Sequence, residues 1–109
     1  MALTYKVLGQ SNPAANTLVS LYTVPLVTNT VISTITVCNL ANTPATFKLA
    51  VRPGGVSILN SHYINYNTIV PGYDTVSLTL GMTLAATDVV SCNANTSTIS
   101  FNAFGSEIS

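Results

Sequence analysis

Over Val76-Ser77-Leu78-Thr79-Leu80-Gly81-Met82-Thr83-Leu84, apolar residues alternate with small ones without a break. A period of two places every second side chain on one face, which is the pattern of a strand with one buried face. The same period recurs where Phe47, Leu49 and Val51 alternate with Thr46, Lys48 and Ala50. It recurs again where Ile99, Phe101 and Ala103 face away from Ser100, Asn102 and Phe104. Val31–Cys38 is dense in β-branched residues, which favour the pleated conformation. Shorter strands are expected at Leu3–Leu8, Leu18–Val24, His62–Ile69 and Asp88–Asn93.

The residues between these runs are turn formers. Asn42-Thr43-Pro44, Pro53-Gly54-Gly55 and Pro71-Gly72-Tyr73-Asp74 carry turn chemistry, and Asn93–Thr96 reads as a hairpin tip. Pro25 ends or edges its strand because it cannot donate to a ladder. Gly81 within a strand predicts a bulge or a close backbone approach. The one helix candidate, Thr83–Thr87, is a single short turn. Short strands spaced about 8–12 residues apart predict an all-β fold. The expected architecture is a single antiparallel β-sandwich, jelly-roll or Ig-like, of about seven to eight strands. With 109 residues the chain makes one domain. Residues 1–16 are an N-terminal strand with an extended connector, and 17–109 form the sandwich. The N-terminal strand has two open readings, an arm exchanged with a neighbouring subunit or an ordinary first strand.

Charge is the second constraint. Only 6% of residues are charged, 48% are hydrophobic, and the formal net charge is zero. A typical domain carries about 25% charged residues. Here Thr, Ser and Asn supply the polarity instead. Disorder requires low hydrophobicity or high net charge, and neither holds. A spanning helix needs about 20 consecutive apolar residues, and polar residues interrupt every run. Met1-Ala2-Leu3-Thr4-Tyr5-Lys6 has no secretory pattern, so folding in a cytoplasm is expected. Cys38 and Cys92 are then expected free, with a bridge left open.

The residues that could carry chemistry are few. Asp74, Asp88 and Glu107 are far apart in sequence and lie at turns or the terminus, where capping or solvation explains them. His62 is the lone histidine and has no motif around it. Two Cys and one His fall short of the four ligands of a structural zinc site. No catalytic residue, cofactor or metal is expected. Lys48 and Arg52 share one face of a strand, about 13 Å apart, and with Lys6 complete the cations. Three cations are too few for nucleic acid, whose affinity rests on many phosphate contacts. Pro53-Gly54-Gly55 lacks the lysine and helix of a phosphate loop. Tyr63, Tyr66 and Tyr73 gather around His62 and the Pro71 turn; tyrosine suits both interfaces and half-buried sheet edges. Lys48, Arg52, Tyr63, Tyr66 and Tyr73 are therefore the candidate interface residues. Asn95-Thr96-Ser97 is a formal glycosylation sequon without a secretory context.

Sheet edges recruit other chains unless Lys, Pro or bulges guard them, and lysine is nearly absent here. Hydroxyl and amide faces can bond to a partner without the cost of desolvating a charge. These features predict self-association, as a trimer or another oligomer. The competing expectation is a small binding module whose loops recognise a receptor or a sugar.

Three segments carry a resemblance: Leu21-Tyr22-Thr23-Val24-Pro25, Val31–Asn39, and Ala45–Gly55. Tyr63–Tyr66, Leu78–Val90 and Ser100–Ile108 extend it. The chain resembles small virion structural proteins of tailed bacteriophages, notably those infecting cyanobacteria. The resemblance implies a particle component assembled in the host cytoplasm and contacting other virion proteins, the major capsid protein first. It implies a capsid decoration or cement role, with a tail-fibre or baseplate role as the alternative. It brings no catalytic residues.

Overall fold

The computed structural model describes residues 2–109. Nine strands account for most of the described residues: β1 Leu3–Ser11, β2 Val19–Thr23, β3 Asn29–Asn39, β4 Ala45–Arg52, β5 Tyr63–Val70, β6 Thr75–Leu78, β7 Met82–Leu84, β8 Val89–Ala94 and β9 Ile99–Ile108. Short 3-10 turns at Pro53–Gly55 and Asn60–His62 are the only helical segments among the described residues. The strands form two antiparallel sheets rather than a barrel. One has the order β1-β9-β3-β6, with β7 also on β3; the other runs β2-β8-β4-β5.

Nine strands replace the expected seven to eight because the run Val76–Leu84 is broken. Gly81 has φ +61°, a left-handed conformation that costs glycine little. It divides β6 from β7, both of which pair with β3. A Cβ at Gly81 would meet nothing within 4 Å, so this glycine is a turn and not a close approach. Thr83–Thr87 is likewise no helix. Thr83 and Leu84 end β7, and Asp88 Oδ2 accepts from Ala85 N at 2.9 Å in the turn that follows. The hairpin tip lies two residues later than the sequence suggests, since β8 runs through Ala94. The connector expected over Gly9–Asn16 begins as strand, because β1 pairs with β9 through Ser11.

The alternation has its expected consequence for burial. Ile99, Phe101 and Ala103 of β9, Ile32, Ile35 and Val37 of β3, and Phe47 and Leu49 of β4 are fully buried in one core. Phe47 and Phe101 come from different sheets and meet edge to face, with ring centroids 5.9 Å apart. That contact sets the two inner faces against each other.

The loops tie the two ends. At one end, Leu40 N donates to Thr98 O, Tyr73 N to Ala41 O, and the Asn12 side-chain amide to Ser97 O and Ile99 O. At the other, Val24 N donates to Asp88 O and Gly54 N to Asp88 Oδ1. Ala2 and Ser109 exchange both backbone hydrogen bonds, so the described termini lie side by side.

Candidate functional site

The five candidate residues divide into a cluster, an anchor and an outlier. On β4, Phe47 and Leu49 face the core, so Lys48 and Arg52 face outward from the second sheet. The adjoining strand carries a bulge. Thr68 pairs with Phe47 and Asn65 with Leu49, so Tyr66 and Asn67 together oppose Lys48. Asn67 has φ +54°, a conformation asparagine tolerates. A bulge re-aims a side chain, and here Tyr66 stands beside the cation, with Lys48 Nζ 4.8 Å from its ring centroid. Tyr63 packs edge-on against Tyr66 at 5.0 Å. With Asn60 the two tyrosines line an open depression of about 340 Å³.

Arg52 shares the face but is occupied. Its Nε donates to Ser91 Oγ at 3.0 Å, and Nη1 reaches Gly55 O and Val56 O at 3.3 and 3.1 Å. It secures the turn after β4. Tyr73 lies apart, at the loop end on Ala41, 75% exposed and with φ +55°.

The other polar residues have structural partners. His62 Nδ1 accepts from Leu59 N at 3.1 Å and closes the turn before β5. Asp74 Oδ1 accepts from Thr75 N, and Asp88 caps two segments, as expected of turn acids. Cys38 and Cys92 are both free. Cys92 is buried in the core, and burial pushes its thiol up to about 12, which keeps it protonated and unreactive. Cys38 follows core-facing Val37 on β3 and so points to the opposite face. Among the described residues no cluster of three metal-ligating side chains exists.

Glu107 departs from expectation. It is not a solvated terminal acid but lies within β9, with its side chain only 14% exposed. Lys6 Nζ contacts its Oε1 at 2.8 Å. The Tyr22 hydroxyl donates to Oε2 at 2.5 Å, leaving the Tyr22 oxygen to accept from Thr30 Oγ1 at 2.8 Å. The Lys6 ammonium and then the Tyr22 hydroxyl hold the Glu107 carboxyl below the ordinary glutamate range. Burial, with Glu107 beside it, pushes Tyr22 up to about 12.

Sequence reasoning passed over the outer face of the first sheet. Leu3, Tyr5 and Val7 of β1 pair with Ile108, Ser106 and Phe104 of β9, and Ser106 and Phe104 pair in turn with Val31 and Thr34 of β3. Tyr5 is 78% exposed, and Leu3, Val7 and Phe104 are also exposed. Tyr5, Val31, Ser33 and Phe104 border a groove floored by Gly105. A Cβ there would lie 2.1 Å from Val31 O, so only glycine lets β3 and β9 approach so closely. The alternation of Leu3, Tyr5 and Val7 was visible in the sequence. Which face they occupied was not, since that depends on the register with β9.

No protein-family model matches this chain, and no curated protein matches it. Function must therefore be argued from these surfaces.

Proposed function

We propose that this chain is a structural subunit of a tailed-phage virion, acting as a capsid decoration or cement protein through protein–protein contacts. The observation that carries the reading is the outer face of the first sheet: exposed Leu3, Tyr5, Val7 and Phe104 set among Thr, Ser and Asn. Uncharged, partly apolar faces with aromatic anchors have the composition of an interface core. The strand order β1-β9-β3-β6 against β2-β8-β4-β5 supports a β-sandwich of jelly-roll rather than Ig-like connectivity, with β6 and β7 as halves of one strand. Jelly rolls serve in viral capsids and in lectins, so the fold suits this role without deciding it. The resemblance to small virion proteins supplies the particle.

The test is a comparison of particles with and without the chain. Particles lacking a cement lose capsid stability to heat or low salt while adsorbing normally to the host. Loss of adsorption with intact heads would overturn the head assignment. Copy number on a stained gel gives a second measure: hundreds per particle support the head surface, and tens or fewer support the tail.

One observation favours the alternative, a tail-fibre or baseplate component with a receptor or carbohydrate role. The Lys48–Tyr66–Tyr63 cluster with Asn60 presents aromatic faces and polar groups beside a depression. Binding of isolated protein to host cells, lost in Tyr66→Ala, would select this reading.

A further inference from the structure

We propose that the β1 edge is a homotypic docking site, where a second copy of this chain pairs antiparallel about a two-fold axis at Tyr5. The inference rests on the reading of the chain as an assembling subunit and names the surface and partner it would use.

β1 is the outermost strand of its sheet. Ala2 and Ser109 exchange both hydrogen bonds, and the register runs unshifted from Leu3↔Ile108 to Val7↔Phe104. Antiparallel ladders alternate bonded and non-bonded pairs. Thr4 and Lys6 therefore bond to β9, while Leu3, Tyr5 and Val7 turn their N–H and C=O groups away from it. These are the same three residues whose apolar side chains are exposed. Unpaired backbone and exposed apolar surface coincide on one strip of five residues.

The strip is unguarded. It holds no proline, and its bulge comes later, between Val7 and Gly9. An inward charge can block an edge by making pairing bury it. Lys6 is such a charge, but Glu107 of the same chain already neutralises it.

The strip also matches itself. With Tyr5 opposite Tyr5 of the second copy, Leu3 falls opposite Val7, aliphatic against aliphatic. All outward groups then find partners, making about six new hydrogen bonds. Lys6 falls opposite Thr4 and not opposite another lysine. Zero net charge removes repulsion between copies. A foreign strand would satisfy the backbone but gains no such symmetry of side chains. The pairing buries less than the roughly 800 Å² per partner of a standard interface, so it is weak in solution and is best read by cross-linking.

The test uses the full chain with Cys38→Ser, leaving Cys92 buried. Residues in a hydrogen-bonded antiparallel pair have Cα atoms about 5.5 Å apart, within disulfide range. Tyr5→Cys is expected to form a disulfide dimer on mild oxidation at least about tenfold faster than Tyr73→Cys, an equally exposed control away from the edge, because pairing raises the local thiol concentration. Leu3→Cys and Val7→Cys should each link slowly alone and rapidly when mixed. Equal rates for Tyr5→Cys and Tyr73→Cys would overturn the proposal. So would rapid linking between copies only in the Tyr5→Cys/Ser106→Cys double variant, which would mean that β1 is exchanged onto the neighbour's β9. Tyr5→Pro removes just one outward N–H and leaves the β1–β9 ladder whole. Its oligomerisation on sedimentation, with an unchanged circular dichroism spectrum, should be lost. If Tyr5→Pro still assembles as the unmodified chain does, the edge is wrong but the assembly reading stands. If the unmodified chain stays monomeric at high concentration and on particles, both fall.

Discussion

Single residues carry this protein's few ionisable contacts, and their pH dependence follows from them. Glu107 is held below its ordinary range, so its contribution to stability is present above that range and is lost as pH falls through its folded-state value. Tyr22 and Cys92 act in the opposite direction. Their folded values are about 12, against 10.0 and 9.0 for the free groups. Their contribution is complete below about pH 9 and is lost as pH rises toward 12. Chemical denaturation across pH should show a plateau near neutrality with a fall on each side, and Glu107→Gln should flatten the acid side. Val27 offers a separate test. It is 88% exposed at the tip between β2 and β3, with φ +56°. A β-branched residue held there costs about 1–3 kcal/mol. Val27→Gly should therefore raise the melting temperature, by about 1 kcal/mol of stability once the entropy of glycine is counted. A lower melting temperature would show that the conformational entropy of glycine outweighs the strain it relieves.

At the scale of elements, the pairing of β9 with both β1 and β3 organises the first sheet. Gly105 permits it, because Val31 O occupies the place of a Cβ. Gly105→Ala should separate these strands locally and cost about 2–4 kcal/mol, among the larger single-site effects. Gly81→Ala should cost only about 1 kcal/mol, since its φ is unfavourable but its surroundings are empty. Equilibrium unfolding of the two variants side by side separates close approach from conformation. Both glycines stand out in the sequence as positions without a side chain inside strand-like runs. Their different roles did not, because a carbonyl from a strand some 70 residues away defines one of them.

For the whole molecule, the core and the surface make distinct demands. Phe47 and Phe101 join the two sheets, and Phe101→Ala should cost about 3–5 kcal/mol, read as a shift in the denaturant midpoint. The surface prediction concerns salt. Ion pairs between exposed charges weaken as salt shortens the Debye length to about 3 Å at 1 M. An interface built from uncharged strand faces has little of that term to lose. Self-association measured by sedimentation should change little between low and high salt. Dissociation at high salt would instead point to Lys48 as the contact, as among the described residues it is the cation without an acidic partner or a hydrogen-bonded role.

Period-two alternation by itself determined where most of the strands run and which residues of β4 and β9 face the core, because these depend on neighbours in the chain. Phe47–Val51 and Ile99–Ala103 were legible for that reason, and Val76–Leu84 was legible as strand but not as two strands divided at Gly81. Tertiary structure decided whatever depends on register. It set Glu107 against Lys6 and Tyr22, turned Tyr66 toward Lys48 through a bulge, and spent Arg52 on its own turn. It also placed Leu3, Tyr5 and Val7 at an open edge with their backbone groups facing out. A shift of one residue would have turned the same three side chains inward. The scarcity of charge was evident from composition. Where that scarcity becomes a surface was settled by long-range pairing, which no local pattern encodes.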